Sequence, residues 1–232
     1  MRLSELVYDV KNILYKGPTS DDSNLSDYLV EHWINQWRAE SLKKAKATES
    51  AWLEPFVQRI PCVDLECAPL SECITVAGIK QKNLSRSVKK LPDVLNLGSM
   101  PAVWYVGLVD GMSPFHFGTF SEALYSSGMR ATGTKPKAYL RDGRLYIKNA
   151  GVLRTASLEA VFENPRQVRN FLGDYGFDYD YPMSFEMWKE IKASILRSDL
   201  WLMFSFAKSE VKNLVDETLS IPIQDEKGQN NQ

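Results

Sequence analysis

Two histidines, three cysteines and three small groups of acids are the side chains of this chain whose chemistry could go beyond packing. Hydrolysis and group transfer need a nucleophile with a base beside it, and the base is most often histidine. His32 stands next to Trp33, and His116 lies between Phe115 and Phe117. Neither belongs to a catalytic motif, so both read as packed or surface rings. A phosphate cradle needs a glycine-rich loop feeding a helix. The nearest small-residue stretch, Tyr125-Ser126-Ser127-Gly128, holds one glycine, and no cofactor is expected.

Cys62, Cys67 and Cys73 are separated by four and five residues. Zinc knuckles are usually tighter, and a closed site needs a second pair of ligands, so no metal is expected here. The three read as small apolar residues of strands, kept reduced in a cytosolic compartment. Acids gather at Asp21-Asp22, at Asp64 with Glu66, and at Asp174 with Asp178 and Asp180. A metal-dependent nuclease uses such groups. Asp21 and Asp22 instead precede a helix start, and the third group lacks the glycine and terminal glutamate of a calcium loop. All three read as solvated loop acids.

Lys80, Lys82, Arg86, Lys89 and Lys90 follow one another with no acid between them. The stretch has no interleaved aromatics for base stacking, so a solvated loop is the default reading, with contact to nucleic acid or to an acidic partner surface as the alternatives.

These residues must be positioned by a chain of 232 residues with a formal net charge of −1. That length suits one large domain or two small ones. A near-neutral balance argues against a dedicated nucleic-acid binder. The opening Met1-Arg2-Leu3-Ser4-Glu5-Leu6 does not read as a signal peptide, and no stretch is long and apolar enough to span a bilayer.

Residues 1–54 read as a helical segment. Ser4 caps a helix with Leu6, Val7, Val10, Ile13 and Leu14 on one stripe, stopped at Gly17-Pro18. A second helix runs from about Ser26 to about Thr48. Leu29, Trp33 and Trp37, with Val30 and Ile34, form its apolar face, and Glu31, Arg38, Glu40, Lys43 and Lys44 its polar one.

Residues 55–163 change to strand grammar. Val63, Leu65 and Cys67 alternate with Asp64 and Glu66; Ile74–Ala77 is a second candidate strand, and Val103–Val109 a more buried one. Asp142-Gly143 between two alternating runs predicts a hairpin with a type I′ turn over residues 137–147. Leu158–Phe162 is a further strand.

Residues 164–219 return to helix. Asn164-Pro165 is a cap with proline at the first helical position, and Gly173 closes that helix. A last helical region opens at Ser184 and continues past Val211, with a division at Ser198-Asp199. Its Leu200 to Phe206 stretch is apolar all round, a mark of a central core helix or an interface. Trp33, Trp37, Trp201 and Phe204 are therefore the interface candidates. Residues 220–232 form a polar tail. Helices at the ends and strands between predict an α+β fold with an antiparallel sheet.

The order of these features resembles the head-to-tail connector, or neck ring, proteins of crAss-like short-tailed phages. The resemblance lies in Ser20-Asp21-Asp22-Ser23-Asn24-Leu25-Ser26-Asp27, in Ile34-Asn35-Gln36-Trp37-Arg38, in Leu158 to Pro165, and in Tyr181-Pro182 before the last helices. It spans about residues 1–216. Asp27-Tyr28 departs from the Asp-Arg pair common in the family, and Lys80 to Gly133 has no placed counterpart.

The resemblance implies a non-enzymatic virion protein at the capsid–tail junction, assembled in the host bacterial cytoplasm. Copies would form a dodecameric ring that joins portal to tail and neighbouring rings and lines the DNA exit channel. Ile221, Pro222 and Ile223 become candidates for docking to the portal, and Lys80, Lys82, Arg86, Lys89 and Lys90 for contact with genomic DNA. A tail hub or cargo protein of the virion, or a metal-dependent DNA-processing enzyme, are the alternatives.

Overall fold

The computed structural model describes residues 1–15, 25–45, 50–69, 84–98, 100–125 and 133–197. In chain order the elements are α1 (Leu3–Tyr15), α2 (Asp27–Ala45), β1 (Gln58–Cys67), β2 (Leu84–Ser87), β3 (Asn96–Leu97), β4 (Met100–Pro101), β5 (Val103–Gly107), β6 (His116–Phe117), α3 (Phe120–Tyr125), β7 (Lys137–Arg141), β8 (Arg144–Lys148), β9 (Thr155–Ala160), α4 (Pro165–Phe171) and α5 (Phe185–Arg197). Helices flank a strand region, so the fold is α+β as the sequence predicts. The candidate strand Ile74–Ala77, the polar linker before α2, and everything beyond Arg197 lie outside the described residues.

Two large cores and a smaller cluster of Leu84, Ala123, Tyr139 and Tyr146 organise the described residues. In the helical lobe, α1, α2 and α5 bury Leu3, Leu6, Val7, Val10, Val30, Trp33, Ile34, Met187, Trp188 and Ile191 together. The start of α1 departs from expectation. Arg2 is its cap: the Arg2 backbone N–H donates to the Glu5 carboxylate at 3.0 Å, the reach-back half of a capping box. Ser4 sits inside the first turn, and its hydroxyl donates to Asp178 Oδ1 at 2.6 Å.

The second core fills a seven-stranded sheet in the order β5-β9-β1-β2-β8-β7-β6. Every pairing is antiparallel except β6 with β7, which is parallel. The sheet curls until its ends meet. The Phe115 N–H donates to the Val106 carbonyl at 2.7 Å, the Leu108 N–H to the Ser113 carbonyl at 3.2 Å, and Gly107 bridges Pro114. The result is a near-closed barrel around Ile60, Val63, Val106, Leu145, Ile147, Leu158 and Phe162.

The Asp-Gly hairpin forms as its chemistry dictates. Asp142 and Gly143 take φ of 51° and 72°, and β7 and β8 pair in register around them. Other strands differ in detail. Proline cannot donate to a ladder, and the β1–β9 register shifts between Ile60 and Val63, around Pro61-Cys62. The shift lets Ile60 and Val63, three residues apart, both face inward with Leu65 and leaves Cys62 exposed; Cys67, which alternation had placed inside, is exposed as the last residue of the strand. β5 ends at Gly107, and a second irregularity leaves Trp104 52% exposed rather than buried. β9 spans Thr155–Ala160, three residues earlier at its start than predicted, because Thr155 and Ala156 pair with Asp64 and Val63.

The two lobes are joined at the end of β9. Val161 enters the helical core and its neighbour Phe162 the barrel core, the period-two alternation of an extended chain. The Val161 N–H donates to Ala102 and its carbonyl accepts from Leu95, each within 2.9 Å.

Candidate interaction surfaces

The helix pattern of α2 gave Glu31 and Arg38 to solvent. Both are buried. The face is covered by α4 and by residues 174–182, and each charge meets a partner there. Arg38 Nη1 donates to the Phe162 carbonyl at 2.9 Å and Nε to the Pro182 carbonyl at 3.1 Å. Glu31 accepts from Arg166 Nη1 at 2.6 Å. The Arg166 guanidinium also lies over the rings of Tyr28 and Phe177, at 4.7 and 5.1 Å from their centroids. The Tyr181 hydroxyl donates to Asn35 Oδ1 at 2.5 Å. Conversely Leu29, read as part of the apolar stripe, is exposed.

Burial is the largest influence on the acid–base equilibria of this junction. It pushes the Glu31 carboxyl up, with the Arg166 charge and hydrogen bond opposing, and the Tyr179 and Tyr181 hydroxyls well up. Burial also lowers the Arg38 guanidinium from its ordinary value. The junction clamps α2 to residues 162–182.

The loop acids belong to the same clamp. Asp178 accepts from the Ser4 hydroxyl and from Arg2 Nη1, and these hold its carboxyl below the usual range, Ser4 most strongly. Asp174 pairs with Arg169, and Asp180 bridges Arg2 through the backbone. All three are exposed, as solvated loop acids should be, and Asp178 and Asp180 in addition pin the N-terminus. Asp64 is exposed, and Glu66 pairs with Arg86 at 2.8 Å. Among the described residues no three His, Cys, Asp or Glu side chains gather to hold a metal ion.

His116 is exposed on β6. His32 is exposed at a polar cleft of about 530 Å³ between α2 and the start of α4, which Asn35, Gln36, Lys43 and Glu163 also line.

Of the basic stretch, Lys80 and Lys82 lie outside the described residues, and Arg86 is engaged by Glu66. Lys89 and Lys90 are exposed on the turn after β2. The β7–β8 hairpin is fastened to that turn: the Leu91 N–H donates to Gly143 at 2.7 Å, and Arg144 Nη1 to the Ser87 and Val88 carbonyls at 2.6 and 2.5 Å. Lys89, Lys90, Arg141 and Arg144 thus share one rim, with Asp142 and Asp93 nearby. The two arginines were missed, although an Asp-Gly turn necessarily sets its flanking residues opposite one another.

Of the aromatic candidates, Trp33 is packed within the helical core and Trp37 lies half-buried at its edge. Trp201, Phe204, Ile221, Pro222 and Ile223 lie outside the described residues. Exposed apolar side chains fall elsewhere: Trp104, Met112 and Val152 on the barrel, and Tyr8, Tyr28 and Tyr175 on the helical lobe. Lone exposed apolar residues are ordinary, but several large ones held out by a closed wall and a rigid helical clamp suit contact with other proteins.

Exposed side chains of this kind fit a protein that works through its surface. The sequence agrees: residues 5–218 match the model of phage tail ring protein 2, and the chain belongs to that family of crAss-like phages. It is a structural protein of the phage tail ring. Comparison with curated proteins found no match. Among the described residues no helix is long and apolar enough to cross a membrane.

Proposed function

We propose that this ring protein is a head-to-tail connector: copies close into a dodecameric ring at the capsid–tail junction, bind the portal on one side and the next tail ring on the other, and line the DNA exit path. The observation that carries the reading is the family match across nearly the whole chain. The rim supports it: Lys89, Lys90 and Arg141 are exposed there, beside the Arg144 that fastens the hairpin, and exposed cations can meet a phosphate backbone without reading bases. Residues 220–232, with Ile221, Pro222 and Ile223, are the segment proposed to dock to the portal.

The test is the mass of the purified protein, alone and mixed with its portal, by light scattering with particle imaging. A closed ring, or a ring added to the portal, supports the connector. Deletion of residues 220–232 should leave a folded protein that no longer docks. The second reading, a ring or hub farther down the tail without portal contact, is favoured by the word tail in the family description. A ring indifferent to the portal would select it. The DNA-processing alternative loses ground, because Asp178 is occupied by Ser4 and Arg2.

A further inference from the structure

A closed ring of identical subunits needs two different, complementary faces on each copy. The described surface offers two at opposite ends of the fold. β5 and β9 pair so that Val103 opposes Ala160, beside the helical lobe, and Gly107 opposes Ser157, away from it. The loops 108–114 and 149–154 leave the barrel at that far end. Their tips carry the two most exposed large apolar side chains described, Met112 (83%) and Val152 (99%). The first loop holds one charged residue, Asp110, and the second one, Arg154, so little charge must be stripped of water when this end is covered.

The other face is aromatic. Tyr28 (65% exposed) and Tyr175 (74%) stand on the helical lobe. Tyr28 is held edge-on to Phe177 at 5.9 Å and over the Arg166 guanidinium, so it presents a fixed ring. A ring held as Tyr28 is loses little entropy on contact, and methionine adapts its shape to an aromatic partner. Part of the barrel wall between the two ends is instead laced by ion pairs, Arg59 with Glu159 at 3.4 Å and Arg86 with Glu66 at 2.8 Å, as suits a solvated side.

We infer that neighbouring subunits of the ring meet head to tail, with Met112 and Val152 of one copy seated against Tyr28 and Tyr175 of the next. This rests on the ring reading above.

Cysteine cross-linking in the full chain tests it, after Cys62, Cys67 and Cys73 are replaced by serine. Under oxidation or a short bis-maleimide, Val152→Cys combined with Tyr175→Cys should give a covalent ladder beyond the dimer, and each single variant should give monomer. In the otherwise native chain, Met112→Asp with Val152→Asp should raise the concentration needed for ring assembly at least tenfold while leaving the melting temperature unchanged. Rings that form without the ladder and tolerate both aspartates would overturn the pairing but keep the ring. Dimers from a single variant would show a two-fold contact and overturn it likewise. No ring at any concentration, with or without portal, would overturn the ring reading itself.

Discussion

Arg38 Nη1 and the Phe162 carbonyl lie 2.9 Å apart, joining positions 124 residues distant in the chain. The donor belongs to a long helix and the acceptor to the last turn out of the barrel. This bond and that from Nε to Pro182 hold helix, barrel and C-terminal segment at one point. Hydrogen bonds from a charged group inside a protein are stronger than neutral ones, and removing their donor strands the acceptors.

Arg38→Met keeps most of the volume and removes both donors. It should lower the unfolding free energy by about 3 kcal/mol. Urea denaturation with tryptophan fluorescence measures this, since Trp33 lies in the same lobe. Arg38→Lys should recover only part of the loss, because an ammonium cannot reach two carbonyls in a planar fork.

Glu31 and Arg166 should respond unequally. Burial raises the Glu31 carboxyl more than Arg166 lowers it, so the folded state binds this proton more tightly than the unfolded chain. The stability from Glu31 is therefore fully present below its ordinary value and is lost as pH rises through the raised one. Glu31→Gln should be within about 1 kcal/mol of the parent at neutral pH and gain on it as pH rises through that window. Arg166→Met, which leaves a buried carboxylate alone, should cost about 3 kcal/mol. Denaturation midpoints of the two variants between pH 4 and 8 (roughly the carboxyl range,) decide the matter.

The N-terminal tether should release in acid. Ser4 and then Arg2 depress the Asp178 carboxyl, so its contribution is present above the ordinary aspartate value and is lost as pH falls through the depressed one. The Leu3 N–H, which donates to the Tyr179 carbonyl at 3.0 Å, should then exchange faster with deuterium than amides of the barrel. Asp178→Asn should show the fast exchange already at neutral pH.

Gly107 guards the barrel closure. A Cβ there would run into the Ser113 carbonyl oxygen and the Tyr105 hydroxyl. The Ser113 oxygen is backbone that accepts from Leu108, so it has little room to move. Gly107→Ala should cost about 2 kcal/mol and loosen the β5–β6 seam. Faster amide exchange at Phe115 and Leu108, with β1 and β9 unchanged, is the expected pattern.

The basic rim should bind DNA through phosphates alone. Assembled rings carrying Lys89→Glu and Lys90→Glu should retain duplex less well whatever its sequence. The slope of log affinity against log salt should fall by about 2 per subunit in contact. Unchanged retention would place this rim away from the channel.

Local chemistry was legible before the fold was known. The Asp142-Gly143 turn and the Asn164 cap, whose side chain accepts from the Arg166 N–H at 2.9 Å, depend on residues a few positions apart. The α+β order followed from the change of period along the chain. Glu31 and Arg38 were not legible, because which face of α2 is covered is decided by residues 162–182. Cys67 was misplaced because it is the last residue of β1, beyond the part of the strand that pairs with β9, and alternation alone does not show where a strand leaves the core. The rim arginines were hidden as well: a turn shows which residues oppose each other but not which loop the hairpin leans on.

The seam between Val106 and Phe115 bears on how rings can be made and unmade. Proteins that assemble by lending a strand to a neighbour must finish folding in its company. Here the backbone groups along the seam are already taken within one chain, so this part of the wall has no strand to lend. Joints formed by side chains alone can shift or reseat under load while each subunit stays whole, and a particle held together that way yields at its joints before its walls.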